Sequence, residues 1–506
     1  MLAKVKSYAL CGLNGFLVDV EVDVSKGIPS FDIVGLPDTA VKESKERVRS
    51  AIKNSGYKFP NAKITVNLAP ADVKKQGAYL DLAIAVGIIK ASSNELVNDL
   101  SDYILIGELS LDGGLRSVQG VLPVLISAKE EGYNNFIIPL SNSTEAGYVE
   151  GVNVFALTSL KTALSKLSGG EEFAPVKNIK FNYNFNKKYD VDMAFVKGQA
   201  LAKRAIEVAV AGGHNILFVG PPGAGKTMLA KCVPTIMPDM SFDEALETTK
   251  IHSVAGTLKY SDGIISSRPF MTPHHTASQV SIVGGGQNVM PGIISLAHNG
   301  VLYLDEMPEY PRSVLESLRQ PLEDRVITVT RTKASVKYPA SFMLVASMNP
   351  CPCGNLGSKN GECKCTLSQI HKYKSKISGP LLDRIDLQIG VDGVEYTDLV
   401  SDKVEESSEV VKRRVNMARN IQRARFEGEG ISCNAEMSEK HLKKYCVLSA
   451  ECEEIIKSAF TSLNLSARAR SRIIKVSRTI ADLELSENIT PSHILEAVNY
   501  RSNQPV

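Results

Sequence analysis

The stretch Gly220-Pro221-Pro222-Gly223-Ala224-Gly225-Lys226-Thr227 has the residue types and spacing of a phosphate cradle. It follows an apolar strand pattern (Ile216–Val219) and opens a helical one. Glycines let successive backbone N–H groups curl around phosphates at a helix N-terminus, whose dipole favours anions. Lys226 is then placed to reach the β- and γ-phosphates, and the Thr227 hydroxyl to ligate Mg²⁺. Some eighty residues on, "GVLYLDEMPE" reads as a buried strand ending in Asp305 and Glu306. Asp305 suits a water-mediated hold on magnesium and Glu306 the polarisation of an attacking water. An acidic pair after a strand also fits a helix N-cap, a weak alternative beside a phosphate loop. The chemistry expected of these residues is hydrolysis of ATP.

A second cluster is "SMNPCPCGNLGSKNGECKCT", residues 347–366, which holds four of the nine cysteines. Cys351, Cys353, Cys363 and Cys365 form a CxC…CxC frame. Four thiolates suit tetrahedral Zn²⁺ and leave no open position, the structural type of site. Paired disulfides or free thiols are the alternatives. The loop immediately follows Asn349 and precedes Arg384, a placement that suits a staple better than a catalytic metal. Cys11, Cys232, Cys433, Cys446 and Cys452 are scattered and read as buried small hydrophobes.

The elements that must position these groups fall into an α/β multidomain pattern. At 506 residues the chain is too long for one core. Its 43% hydrophobic and 22% charged content is that of a globular protein. A net charge of +3 leaves any nucleic-acid affinity to local patches. Asp19, Glu21 and Asp23 interrupt the first apolar stretch too early for a signal peptide, and no run approaches a membrane span. The expectation is a cytoplasmic protein with reduced thiols. Residues 1–167 alternate strand-like and helix-like stretches, an α+β domain; 168–190 read as a linker. Residues 191–395 form a second α/β segment, and 396–506 are almost entirely helical pattern.

The motifs "PFMTPHHTASQVSIVGGG", "ISLAHNGVLYLDEMPEY", "LRQPLEDRVITVTR", "NPCPCGNLG" and "SGPLLDRIDLQI" resemble the magnesium-chelatase-like AAA+ ATPases of the YifB/ComM type over nearly the whole chain. The resemblance implies an AAA+ core with a helical lid and a hexameric ATPase. Competence-associated members act as DNA branch-migration helicases in natural transformation, so DNA and recombination proteins are the implied partners. It also implies roles: Asn349 as the γ-phosphate sensor, and Arg384 as a finger entering the neighbouring subunit's site. Such an arginine supplies roughly 10³–10⁵ in rate; a salt bridge to Asp383 or Asp386 is its structural alternative. Arg468 matches the sensor-2 arginine that opens a lid helix, with Arg470 and Arg472 competing for the role.

Alternation in Val326–Thr330 and Ser335–Tyr338 reads as a β-hairpin with a basic tip. In this clade such a hairpin projects into the pore, which would present Arg331, Lys333 and Lys337 to a phosphate backbone. The plainer reading is a solvated edge whose charges discourage aggregation. The segment containing Gly284–Gly286 is a second pore-loop candidate, expected to be mobile. His274 and His275 suit hydrogen bonding better than metal. The front domain, through "KKQGAYLDLAIAVGIIKA" and "IGELSLDGGLRSVQGVLPV", resembles the Lon protease domain and the matching domain of the RadA recombination ATPase. The fold implied is that of the second domain of ribosomal protein S5. Lon-type peptidases need a Ser nucleophile and a Lys base. Here Gly77-Ala78-Tyr79 stands in the serine region and Gln119-Gly120-Val121 in the lysine region, which argues against proteolysis. Lys74, Lys75 and Arg116 are either phosphate contacts or isolated surface charges. The alternatives to a DNA motor are a chelatase motor subunit and, behind it, an ATP-dependent protease.

Overall fold

The computed structural model describes residues 1–502 other than 76, 94–99, 182–188, 259–262, 287–288, 332–333, 358–360, 394–404 and 464–465. Two sheets organise it. The front sheet has seven strands: β1 (Leu2–Cys11), β2 (Asn14–Ser25), β3 (Ser30–Val34), β4 (Lys63–Ala69), β5 (Tyr103–Leu105), β6 (Asn135–Pro139) and β7 (Asn153–Leu157), in the order β3-β4-β2-β1-β5-β6-β7. β1, β2 and β4 pair antiparallel, whereas β5, β6 and β7 run parallel to β1. The Asp81–Ser92 helix is apolar on nearly every side and buried from Asp81 to Ile89, as an all-round hydrophobic helix must be. It lies against β1 and β2, with Gly87 facing Val22.

The second sheet is wholly parallel: β8 (Ile216–Val219), β9 (Phe270–Met271), β10 (Val301–Leu304), β13 (Met343–Met348) and β14 (Leu387–Gly390) lie in the order β9-β10-β13-β8-β14. Between β10 and β13 the chain makes an antiparallel hairpin, β11 (Val326–Arg331) and β12 (Ala334–Pro339), outside that sheet. Strands buried on both faces need continuous apolar runs, and β8, β10 and β13 are buried at every position. β13 is inserted between β8 and β10. The carboxyl ends of all three therefore meet at one edge, where ligands bind in open α/β sheets.

The C-terminal region is helical among its described residues, with long helices at Ser408–Arg425, Ala450–Ser462, Ala467–Leu483 and Pro491–Ser502. Val411, Val415, Ala418, Ile473, Ile480 and Tyr500 share one apolar cluster with β8 and the Lys226–Ile236 helix, so this region packs directly on the nucleotide-loop helix. The expected junction at 395/396 lies outside the described residues, as does most of the tail of the 168–190 linker. No described helix is long and apolar enough to cross a membrane.

The front domain is fixed to the second sheet's helices. Gly120 N–H donates to Ser253 Oγ at 3.1 Å, and Ser253 donates to Glu145 at 3.1 Å. Burial raises the Glu145 carboxyl above its ordinary range, against the hydrogen bonds from Asn142, Ser253 and Leu122. Three sequence expectations change here. Lys75 is a fully buried ammonium bonded to the Pro70 carbonyl, neither a surface charge nor a phosphate contact. Cys11 is exposed, because it ends β1 at a tight turn. Gly284 and Gly285 pair with Pro291 and Met290, and a Cβ on Gly284 would sit 2.6 Å from the Met290 carbonyl oxygen, so this part of the loop is tied down.

Candidate nucleotide site

A pocket of about 390 Å³ opens at the carboxyl edge of the parallel sheet, lined by Pro222–Thr227, Asp305, Glu306, Ser347, Met348 and Asn349. Each wall is a strand end. β8 releases the Gly220–Gly225 loop, β10 delivers Asp305 and Glu306, and β13 brings Ser347 and Asn349 between them. Gly223 and Gly225 have φ of +78° and +84°, a region costly to any side chain. A Cβ at either would meet nothing within 4 Å, so the loop's concave side is open.

Lys226 Nζ is folded onto its own loop, donating to Gly220 O at 2.6 Å, Pro221 O at 2.9 Å and Asn349 Oδ1 at 3.1 Å. Burial lowers its pKa, and Asp305 and Glu306 oppose that shift. Thr227 Oγ1 lies 3.3 Å from Asp305 Oδ2, and Ser347 Oγ donates to the other carboxylate oxygen of Asp305. These hard oxygens fit Mg²⁺, and the open loop with its lysine fits a triphosphate. Glu306 sits at φ 49°, ψ 49°, a left-handed conformation uncommon for a side-chain-bearing residue. Its N–H lies 3.3 Å from Ser347 Oγ, and Tyr303 donates to that oxygen at 3.2 Å. Ser347 and Tyr303 escape sequence reading, since a serine and a tyrosine inside apolar strands carry no spacing signal.

The four cysteines converge. Their sulfurs all lie within 4.8 Å of one another, with Cys351–Cys353 at 3.4 Å and Cys363 at 3.7 Å from both. Tetrahedral Zn²⁺ with bonds of about 2.3 Å sets its ligand sulfurs roughly 3.8 Å apart, so the cluster fits zinc. A disulfide needs about 2.05 Å, and all four are free thiols. Backbone N–H groups of Asn355 and Lys364 bring the Cys353 thiol down to about 6, whereas Cys365, against a backbone hydrogen bond from Cys353, is held up at about 12 by desolvation and then by its sulfur neighbours. Such crowding of ionisable sulfurs is relieved by a cation. The knot also touches the phosphate loop: a Cβ on Gly354 would sit 2.6 Å from Pro222.

Arg384 and Arg468 do not line this pocket. Arg384 is 9% exposed, pairs with Glu323 and donates to Pro380 O at 2.7 Å, while its buried Nε has no partner. Its acidic partner is thus neither Asp383 nor Asp386. Asp386 is taken by Arg472, and Arg470 pairs with Glu453 at 2.9 Å. Arg468 is exposed, makes no ion pair among the described residues, and lies within electrostatic reach of Glu323 together with Arg384. In the hairpin, Ile327, Val329 and Tyr338 are buried while Thr330, Ser335 and Lys337 are exposed, opposite faces of one ladder. Arg331 sits at the ladder's end opposite Ala334; its side chain and Lys333 lie outside the described residues. His274 hydrogen-bonds Thr276 at 2.8 Å and stacks with His275.

A five-stranded parallel sheet with a phosphate loop on β8, an acidic pair on β10 and a polar strand end between them defines a P-loop nucleotide-binding domain. Comparison with known proteins narrows this. Family models described as "Subunit ChlI of Mg-chelatase", "Magnesium chelatase, subunit ChlI" and "Magnesium chelatase, subunit ChlI C-terminal" match residues 20–142, 192–399 and 405–501. The uncharacterised protein YifB of Escherichia coli is 41% identical over 99% of this chain and 97% of its own length. The competence protein ComM of Haemophilus influenzae is 42% identical over the same shares. The chain belongs to the magnesium-chelatase-like AAA+ family of the YifB/ComM type.

Proposed function

We propose that this chain is the subunit of a hexameric, ATP-hydrolysing ring motor that moves on DNA and promotes branch migration in recombination or natural transformation. One observation supports the ring: the pocket gathers the loop, Lys226, Thr227, Asp305, Glu306 and Asn349, yet no arginine among the described residues lines it. Transition-state charge on the γ-phosphate calls for one. Arg384 and Arg468 stand together near Glu323, away from their own subunit's pocket, which suits donation to a neighbour's site. ATP and Mg²⁺ are the cofactors; Thr227 and Asp305 would hold Mg²⁺, which would supply neutralisation of the phosphate charge. In the protein, Lys226 exchanges its loop carbonyls for phosphate oxygens. Glu306 then accepts the proton of the attacking water, and Asn349 reports the γ-phosphate to the Cys351–Cys365 knot, a structural Zn²⁺ site.

The DNA part rests on the hairpin's polar face and on the competence name of the Haemophilus relative. We read the front domain as Lon-like without the dyad, since Tyr79 stands where the serine would follow Gly77-Ala78 and Gln119-Gly120-Val121 stands in the lysine region. Binding of a fluorescent single strand, read by anisotropy across 50–200 mM salt, tests the assignment. Affinity falling steeply with salt, and weakened several-fold by Lys337→Glu, supports it. No binding at low salt favours a protein-remodelling motor of the chelatase kind.

A further inference from the structure

A cleft of about 640 Å³ lies between the core and the Ser408–Arg425 helix of the lid. Its floor includes Gly300 and Met343, at the amino ends of β10 and β13. Met348, at the other end of β13, lines the nucleotide pocket, so the two cavities are separated by roughly 16 Å of strand.

The cleft wall has an unbalanced charge. Asn416, Arg419, Asn420 and Arg423, spaced i, i+3, i+4, i+7, put one face of the lid helix into it, opposite Arg268 and Arg325 of the core. The three acids of the wall each have a cation. Glu244 pairs with Arg268 at 3.1 Å, Glu436 with Arg325, and Asp239 with Lys412 at 2.6 Å. Arg419 and Arg423 have no ion pair among the described residues. Arg419 donates only a long bond, 3.4 Å, to Ser432 O, and its buried Nε–H is unpartnered. Two like charges one helical turn apart are mutually unfavourable. Burial lowers the pKa of Arg268, and Arg419 and Arg423 lower it further, while Glu244 opposes the shift. Guanidinium forks match phosphate oxygens in pairs, and the volume is that of a small-molecule site.

We propose that this cleft is a second anion site, taking a small molecule that carries a phosphate chain and holding it between core and lid at once. Arg419 and Arg423 supply the charge-assisted hydrogen bonds from the lid, Arg268 and Arg325 the positive wall of the core, and Asn416 and Asn420 further donors. Because its walls belong to two packed bodies, a bound anion fixes the lid's angle to the core.

The test is calorimetric titration of the full-length Lys226→Ala protein, whose nucleotide loop is disabled, with inorganic tripolyphosphate and separately with ADP. One equivalent of saturable binding is expected, weakened at least tenfold in the Arg419→Gln/Arg423→Gln background. Asn420→Asp, a change at an exposed position, weakens it in the same sense and guards against misfolding of the double variant. Binding of both probes, or of tripolyphosphate alone, assigns recognition to the phosphate chain; binding of ADP alone assigns it to a nucleotide. Absence of binding by either probe, or affinity indifferent to these substitutions, overturns the proposal. So does loss of self-assembly by the double variant without ligand, which would give the cleft to a neighbouring copy.

Discussion

At the carboxyl end of β10 the backbone of Glu306 is held left-handed, with its N–H near Ser347 and its neighbour Asp305 gripped by the same hydroxyl. Each of these residues makes a separable prediction. Glu306→Gln keeps the shape of the pocket and loses the base, so ATP still binds while turnover falls roughly 10²–10⁴-fold; full turnover would remove Glu306 from the mechanism. Ser347→Ala leaves both carboxylates in place but frees Asp305 to rotate. Loss of an outer partner costs metal sites about tenfold or more, so the Mg²⁺ concentration for half-maximal hydrolysis rises by that factor while kcat at saturating Mg²⁺ changes little. An unchanged Mg²⁺ requirement would make Ser347 a packing residue only. The residues of the nucleotide loop were legible because their spacing is a motif. Ser347 was not, and neither was the partner of Arg384, since Glu323 lies 61 residues away in sequence.

At the scale of elements, strand periodicity located β8, β10 and β13, and the basic hairpin was visible in its alternation. Sheet order was not visible, because periodicity says nothing about which strand lies beside which. The consequence of that order is that β13 carries Ser347 and Asn349 into the space between loop and acid. The knot that follows β13 rests on the loop through Gly354 and Pro222, a contact no cysteine spacing announces. Cys363→Ser/Cys365→Ser therefore tests more than the proposed zinc site. Bound zinc falls from one per chain to none, the melting temperature drops, and KM for ATP rises several-fold as Pro222 loses its support. A variant retaining zinc, or losing zinc with no change in KM or melting temperature, would separate the knot from the nucleotide loop.

For the whole molecule, no arginine among the described residues lines the nucleotide pocket, and Arg384 is tied to Glu323 and the Pro380 carbonyl. Mixing Arg384→Ala with Lys226→Ala subunits, each nearly inactive alone, restores a measurable fraction of activity, because some interfaces then pair an intact loop with an intact finger. Strict additivity of the two dead proteins would place Arg384 in structure, not catalysis. The family and the nucleotide fold were legible from motifs spread along the chain. The core–lid cleft was not, since Arg268, Arg325, Arg419 and Arg423 are brought together only by the packing of helix on core.

The most direct test of a DNA-driven ring motor is the ATPase rate of the purified protein with no DNA, single-stranded DNA, linear duplex and a four-way junction. Such a motor is stimulated by DNA, most strongly by the junction, and the stimulation is absent in Glu306→Gln. A rate indifferent to every DNA would contradict it and turn attention to a protein substrate.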